Sequence, residues 1–156
     1  TNTNLDFIRD NIDVAFRLGP MKDSGLIARA LWSVPYSFCA GKAFARREKL
    51  DRPITRQQLM SLPAILFRQP WHLEEGGSIA PPNVAHIFDD LELVLSAVRR
   101  NFGVAMLPSE MLPGDTVVIR VAQTTPVTRT MSAVYPSLGL LPTRVRSLIE
   151  FMAAPT

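Results

Sequence analysis

Cysteine is almost missing from this sequence. Cys39 is the single one in 156 residues, so no internal disulfide can form and the chain needs no oxidising compartment. A cytoplasmic location is the expectation. Histidine is nearly as scarce: His72 and His86, with that one thiol, are too few for a structural zinc site, and no metal is expected. No apolar run approaches the roughly 18 residues of a membrane-spanning helix, which argues against a membrane partner. No block of lysine or arginine occurs. The 17 basic residues are dispersed among 14 acidic ones for a net charge of +3, so composition offers no argument for nucleic-acid contact. The opening Thr1-Asn2-Thr3-Asn4 lacks the features of a secretion signal. With no initiator methionine before it, it reads as a cut made inside a longer protein. G-x-S-x-G and glycine-rich phosphate loops are also missing. The nearest serine context, Tyr135 to Gly139, lacks the leading glycine. No activated nucleophile assembles, so neither catalysis nor a cofactor is expected.

What the chain does have is an ordinary globular balance, 47% apolar and 20% charged residues, at a length that suits one domain or two small lobes. Asn4 to Asp10 suits a short helix capped by Asn4. Ile12 to Leu18 follows as an apolar strand that ends on Arg17 and Leu18 and breaks at Gly19-Pro20. The loop 19–24 is rich in turn formers. Leu26–Trp32 and Val34–Ala40 read as two extended segments, and Gly41–Arg47 as a short helix. Thr55 is placed to cap a helix over Arg56–Ser61. Strands are expected at Ala64–Phe67, Trp71–Glu74 (turned at Gly76-Gly77) and Val84–Phe88.

The strongest helix opens at Asp89-Asp90-Leu91-Glu92, where Asp89 and Glu92 have the spacing of a capping box. Leu91, Val94, Leu95, Val98 and Phe102 then lie on one face, with Arg99 and Arg100 in the last turn. Gly103–Leu107, Thr116–Val121 and Met131–Tyr135 suit further strands. A closing helix begins at Pro142, with Leu141, Val145, Leu148, Ile149 and Met152 on one face. Strands and helices alternate, and the strands lack polar alternation. That argues for α/β layers with a largely parallel sheet.

Such sheets bind ligands at the carboxyl ends of their strands, near helix N-termini. Arg17 ends one strand, and Asp89-Asp90 stands at a strand-to-helix junction. A guanidinium at a cleft can take a carboxylate in a bidentate pair; snorkelling to solvent or pairing with Asp23 weighs equally. For Asp89 and Asp90 helix capping is the first expectation, and an acidic pair there would favour an amine or neutral ligand. Trp71 could stack on a ligand, with burial the plainer expectation. Cys39, between Phe38 and Ala40, reads as a buried inert thiol rather than a redox sensor.

The stretch "DFIRDNIDVAFRLGPMKDSGLIARAL" resembles the effector-binding domain of LysR-type transcriptional regulators through Asp13, Ala15, Phe16, Arg17, Gly19, Asp23, Ser24, Leu26, Ala28, Arg29 and Leu31. "SVPYSFCAGKAFARR", "DDLELVLSAVRRNFGVAMLP" and "SAVYPSLGLLPTRVRSLIEFM" are similar to later family stretches in the same order. The resemblance implies two Rossmann-like α/β lobes with a hinge, as in type 2 periplasmic binding proteins. Lobe I would hold 1–40 and 126–156, lobe II 41–125, with crossings near Cys39-Ala40 and Thr124-Thr125.

It further implies a small-molecule effector bound between the lobes. Arg17 and Thr3 would contribute from lobe I, and Phe67, Arg68, Asp89 and Asp90 from lobe II. Partnership would extend to other copies, as a dimer or tetramer, and to DNA through a helix-turn-helix not present in this chain. The family's first strand-helix of lobe I, about 40 residues by typical α/β unit lengths, is also missing. Its helix packs beside the partner's 89–101 helix in family dimers, so weakened dimerisation is expected. Two other function classes fit α/β layers: a periplasmic-type solute-binding protein and a small α/β enzyme. A helix-turn-helix upstream of the chain, as against a secretion signal, separates the first alternative. Turnover lost on changing Arg17 or Asp90 would mark the second.

Overall fold

The two apolar segments expected at Leu26–Trp32 and Val34–Ala40 form one strand. In the computed structural model, which describes residues 14–19, 26–135 and 143–153, β2 runs unbroken from Ile27 to Gly41. The chain divides into two compact units, Thr1–Val34 with Arg129–Thr156 and Pro35–Thr128. It therefore passes from one to the other at Val34-Pro35 and at Thr128-Arg129. Proline suits the first position because it keeps the backbone extended and gives up only an N–H. Pairing of β2 with β7 begins at the next residue, Tyr36.

In the first unit, β1 (Ala15–Leu18) lies antiparallel to β9 (Thr128–Tyr135), with Ala15 opposite Val134 and Arg17 opposite Ser132. β9 in turn neighbours β2. Helix α4 (Thr143–Ala153) buries Ile149 with Ala133 and Tyr135, against which Ile27, Leu31 and Val145 pack. Leu148, expected on that buried face, is 47% exposed. The apolar contact along α4 runs through Ile149, with Val145 one turn before it, and leaves Leu148 aside. The expected helix 4–10, the residues 12–13 of the first strand, the loop 20–24 and Leu141-Pro142 lie outside the described residues.

In the second unit, β2 is flanked by β7 (Ala105–Pro108) and β8 (Thr116–Ile119), both antiparallel. Helices α1 (Lys42–Arg47) and α2 (Arg56–Ser61) follow β2 in the chain. β3 (Ala64–Phe67) and β6 (Val84–Phe88) form a parallel pair. β4 (Trp71–His72) and β5 (Ser78–Ile79) make a small hairpin around Gly76, and α3 spans Leu91–Arg99. Thr55 closes a full capping box on α2 with Gln58.

A largely parallel sheet was the expectation, whereas in the larger sheet β1 and β9, β2 and β7, and β2 and β8 pair antiparallel. The cause is burial. Phe38 to Gly41 are all buried, so the strand reads as a continuous apolar run, the pattern otherwise typical of parallel strands. Two apolar clusters fill the second unit. One gathers Phe38, Phe44, Leu59, Leu66 and Trp71; the other sets Ile65, Leu107 and Cys39 against Val94 and Val98 of α3. Burial of each such side chain contributes about 1.5–3 kcal/mol. Phe102, expected on the buried face of α3, lies beyond the helix end and is 50% exposed. No helix among the described residues is long and apolar enough to cross a membrane.

Candidate functional site

Strands β3 and β6 run in step, Leu66 beside Ile87 and Phe67 beside Phe88, so both end at the same edge. The carboxyl edge of a parallel pair is where α/β sheets present groups to ligands. Four of the residues singled out in the sequence meet there.

The chain turns sharply after Phe67 by placing Arg68 in the left-handed region, at φ 60°. The turn is fixed by backbone bonds: Arg68 N–H donates to the Phe88 carbonyl at 3.0 Å, and Gln69 N–H donates to the carbonyl of Phe67. The Arg68 side chain folds back over Phe67, its guanidinium carbon 5.0 Å from the ring centre. Its Nη2 donates to the backbone carbonyl of Asp89 at 3.3 Å. Among the described residues no carboxylate forms an ion pair with it. Downstream, the Gln69 amide oxygen and His72 Nε2 stand 3.0 Å apart. Trp71 turns away from this edge and is buried edge-on to Phe38, with ring centres 5.3 Å apart.

The acidic pair divides its work. Asp90, not Asp89, caps α3: its backbone is extended, and its Oδ1 accepts from Glu92 N–H at 2.8 Å. The expected box between Asp89 and Glu92 does not form, because the helix begins one residue later than that spacing requires. Asp89 contributes its carbonyl to Arg68 and leaves its carboxylate exposed.

In the first unit, Arg17 is half-buried on β1 and is not without an interaction partner. Thr3 lies outside the described residues. Two hollows open on the second unit, and neither includes Phe67, Arg68, Asp89 or Asp90. One, of about 370 Å³, lies on the α1–α2 connection around Lys49, Pro53 and Ser61. The other, of about 280 Å³, lies beside the crossing segments around Tyr36, Phe38, Thr124 and Pro126.

A family model described as the LysR substrate binding domain matches residues 1–155. The chain belongs to that family. No curated protein matches the LysR substrate-binding domain described here. Solved structures do. The full-length Vibrio cholerae virulence activator AphB, a member of the LTTR protein family, matches at 23% identity and a TM-score of 0.74, over 97% of this chain and 54% of that one. The CrgA regulatory domain, from a LysR-type transcriptional regulator of Neisseria meningitidis, matches at 23% identity and a TM-score of 0.70, covering 96% and 79%. The C-terminal domain of a probable LysR family regulator from Rhodococcus sp. RHA1 matches at 21% identity and a TM-score of 0.70, covering 95% and 77%. At these identities the likeness establishes the fold, the two-lobed periplasmic-binding-protein type. The chain spans about half the length of full-length AphB.

Sequence reasoning missed one positioning residue of the LysR substrate-binding domain. Asn101, left-handed at φ 65°, ends α3 and turns its Oδ1 to accept from Phe44 N–H at 3.0 Å. That supplies α1 with the cap that Gly41 lacks. Asparagine just past a helix end was the available signal.

Proposed function

We propose that this chain is the effector-sensing regulatory domain of a LysR-type transcription factor. The family match over residues 1–155 carries this reading. The convergence of Phe67, Arg68, Asp89 and Asp90 at one strand edge supports it. Those four would form the second unit's share of the effector site, and Arg17 and Thr3 would add the first unit's share. The domain works by binding alone, with no chemical step and no metal or cofactor. In the whole regulator, effector binding biases the arrangement of DNA-binding heads supplied by another part of the protein. The bias can be no larger than the effector's differential affinity for the two states. LysR regulators oligomerise, and here the contact would use the flanks of α3, where Leu93 is 49% exposed. An intracellular, cytoplasmic setting follows from action on DNA.

The test is a thermal-shift screen of small acids, aromatics and amines, followed by titration calorimetry, then by DNA binding of the whole regulator with and without the hit. The expected result is a saturable ligand that changes promoter occupancy. A ligand that binds tightly and leaves DNA binding untouched would defeat the regulatory reading.

A further inference from the structure

The chain's positive charge has one source. Lys42, Arg46, Arg47, Lys49, Arg52 and Arg56 fall within α1, the connection after it and the first residue of α2, against two acids, Glu48 and Asp51. The rest of the chain holds 11 basic and 12 acidic residues, so the whole balance of +3 arises in this stretch. Each of its charged residues is exposed. Arg47, Arg52 and Arg56 stand 3.7 Å from the carboxylates of Glu48, Asp51 and Glu75. Among the described residues no carboxylate pairs with Lys42, Arg46 or Lys49, nor with exposed Arg100 at the end of α3. Asn101 accepts from Phe44 N–H, and a Cβ on Gly41 would meet the Val98 carbonyl at 2.6 Å. The end of α3 that carries Arg100 therefore lies against the start of α1 that carries Lys42.

Two of these cations occupy places where the local fold favours another residue. Lys42 is in the first turn of α1, where the helix dipole favours an acid and none is present. Lys49 lies just past the end of α1 in the left-handed region, at φ 57°, a position that glycine usually fills. Helix stability explains neither, and a surface that gathers positive charge explains both. The same stretch exposes no large apolar side chain, since Phe44, Leu50 and Ile54 are buried. It lacks the apolar centre of a protein interface and the apolar face of a helix lying in a membrane surface. Cations without an apolar anchor suit a phosphate backbone.

We infer that Lys42, Arg46, Lys49 and Arg100 form a surface on the second unit that contacts the phosphates of duplex DNA, separate from the effector site. This rests on the regulator reading for the presence of DNA: a duplex held by DNA-binding heads elsewhere in the protein is at high effective concentration for a weak second contact. The surface reads no bases, because phosphate contacts position a protein without carrying sequence information.

The 156-residue chain is titrated into a fluorescein-labelled duplex of arbitrary sequence and followed by anisotropy between about 50 and about 200 mM salt. Binding in the range of about 10⁻⁶–10⁻⁴ M is expected, with a log–log salt slope of about −3 to −4 for four phosphates. Lys42→Glu with Arg46→Glu should weaken it by about tenfold or more and make the slope shallower by about 2. Arg29→Glu with Arg144→Glu, two exposed positions outside the surface, changes the net charge equally and should weaken binding by less than about threefold. The neutral pair Lys42→Gln with Arg46→Gln should fall between, with the melting temperature of the parent, which separates lost contact from lost folding. No binding by the parent at the lowest salt overturns the inference. So do equal losses from the two glutamate pairs, which would mean net charge alone. Poly-glutamate that displaces the duplex at an equal concentration of charges would point to an acidic protein partner and overturn it too. Each of these results leaves effector sensing standing, because the thermal-shift screen decides that separately.

Discussion

Cys39 is fully buried on β2, and its thiol donates to the Ala105 carbonyl at 3.5 Å. Burial pushes the thiol up to about 12 from its ordinary 9.0, and the bond to Ala105 offsets only part of that. The thiolate is the reactive form of cysteine, and the folded chain holds almost none of it at neutral pH. An aromatic disulfide reagent at pH 8 should therefore leave Cys39 untouched in the folded protein and label it only as fast as the chain opens. Labelling at the rate of a free thiol would refute the buried assignment. Stability carries the same signature. Below pH 9 both states keep the proton. Between about 9 and about 12 the unfolded chain releases it and the folded chain does not. Stability should then fall with rising pH by up to about 1.4 kcal/mol per unit. Cys39→Ala should flatten that alkaline limb relative to the parent in denaturant titrations. A second residue-scale constraint is Gly41. A Cβ there would come within 2.6 Å of the Val98 carbonyl and would strike Asn101 Oδ1. Gly41→Ala should cost about 1–3 kcal/mol by overpacking, measured by the same titrations.

At the scale of elements, the two aspartates before α3 give a direct comparison. Asp90→Ala removes the cap and should destabilise the chain by about 1 kcal/mol. Asp89→Ala removes an exposed carboxylate that caps nothing and should change stability by less than about 0.5 kcal/mol. Equal effects in thermal denaturation would mean that the cap is shared. The sequence did not separate these roles, because either aspartate can cap. The choice was made by where the backbone turns from extended to helical, a difference of one residue. Local signals elsewhere were sufficient. Thr55 announced α2, the glycines at 76 and 77 announced the β4–β5 turn, and both strands of the parallel pair were legible from apolar runs bounded by turn residues. What stayed hidden was non-local. The continuity of β2 through Pro35 depends on partners found on β7, β8 and β9. The placement of Arg68 over Phe67 depends on the Phe88 and Asp89 carbonyls, twenty and more residues away in sequence. The membership of Phe67, Arg68, Asp89 and Asp90 in one edge came from family resemblance. Their geometry came from strand register.

At the scale of the whole molecule, the second unit leaves more apolar surface uncovered than its own fold requires. Every residue of β6 is exposed except Phe88, which is half-buried, with Ile87 at 62%. Leu93 and Phe102 flank α3 at 49% and 50%, and His86 contacts the rings of Phe88 and Phe102 at 5.9 and 5.8 Å. Single exposed apolar residues are unremarkable, but several on one strand and its following helix are what an association surface would show. In an oligomerising family the consistent occupant is another copy of the chain. Sedimentation velocity over a range of concentrations should show reversible self-association. Leu93→Asp should abolish it without lowering the melting temperature, since an exposed substitution changes stability by only about 0.5 kcal/mol. A parent chain that is monomeric at every concentration would put the contact elsewhere. So would a Leu93→Asp variant that associates as strongly as the parent. Loss of association together with loss of folding would mean that Leu93 serves the core of its own unit.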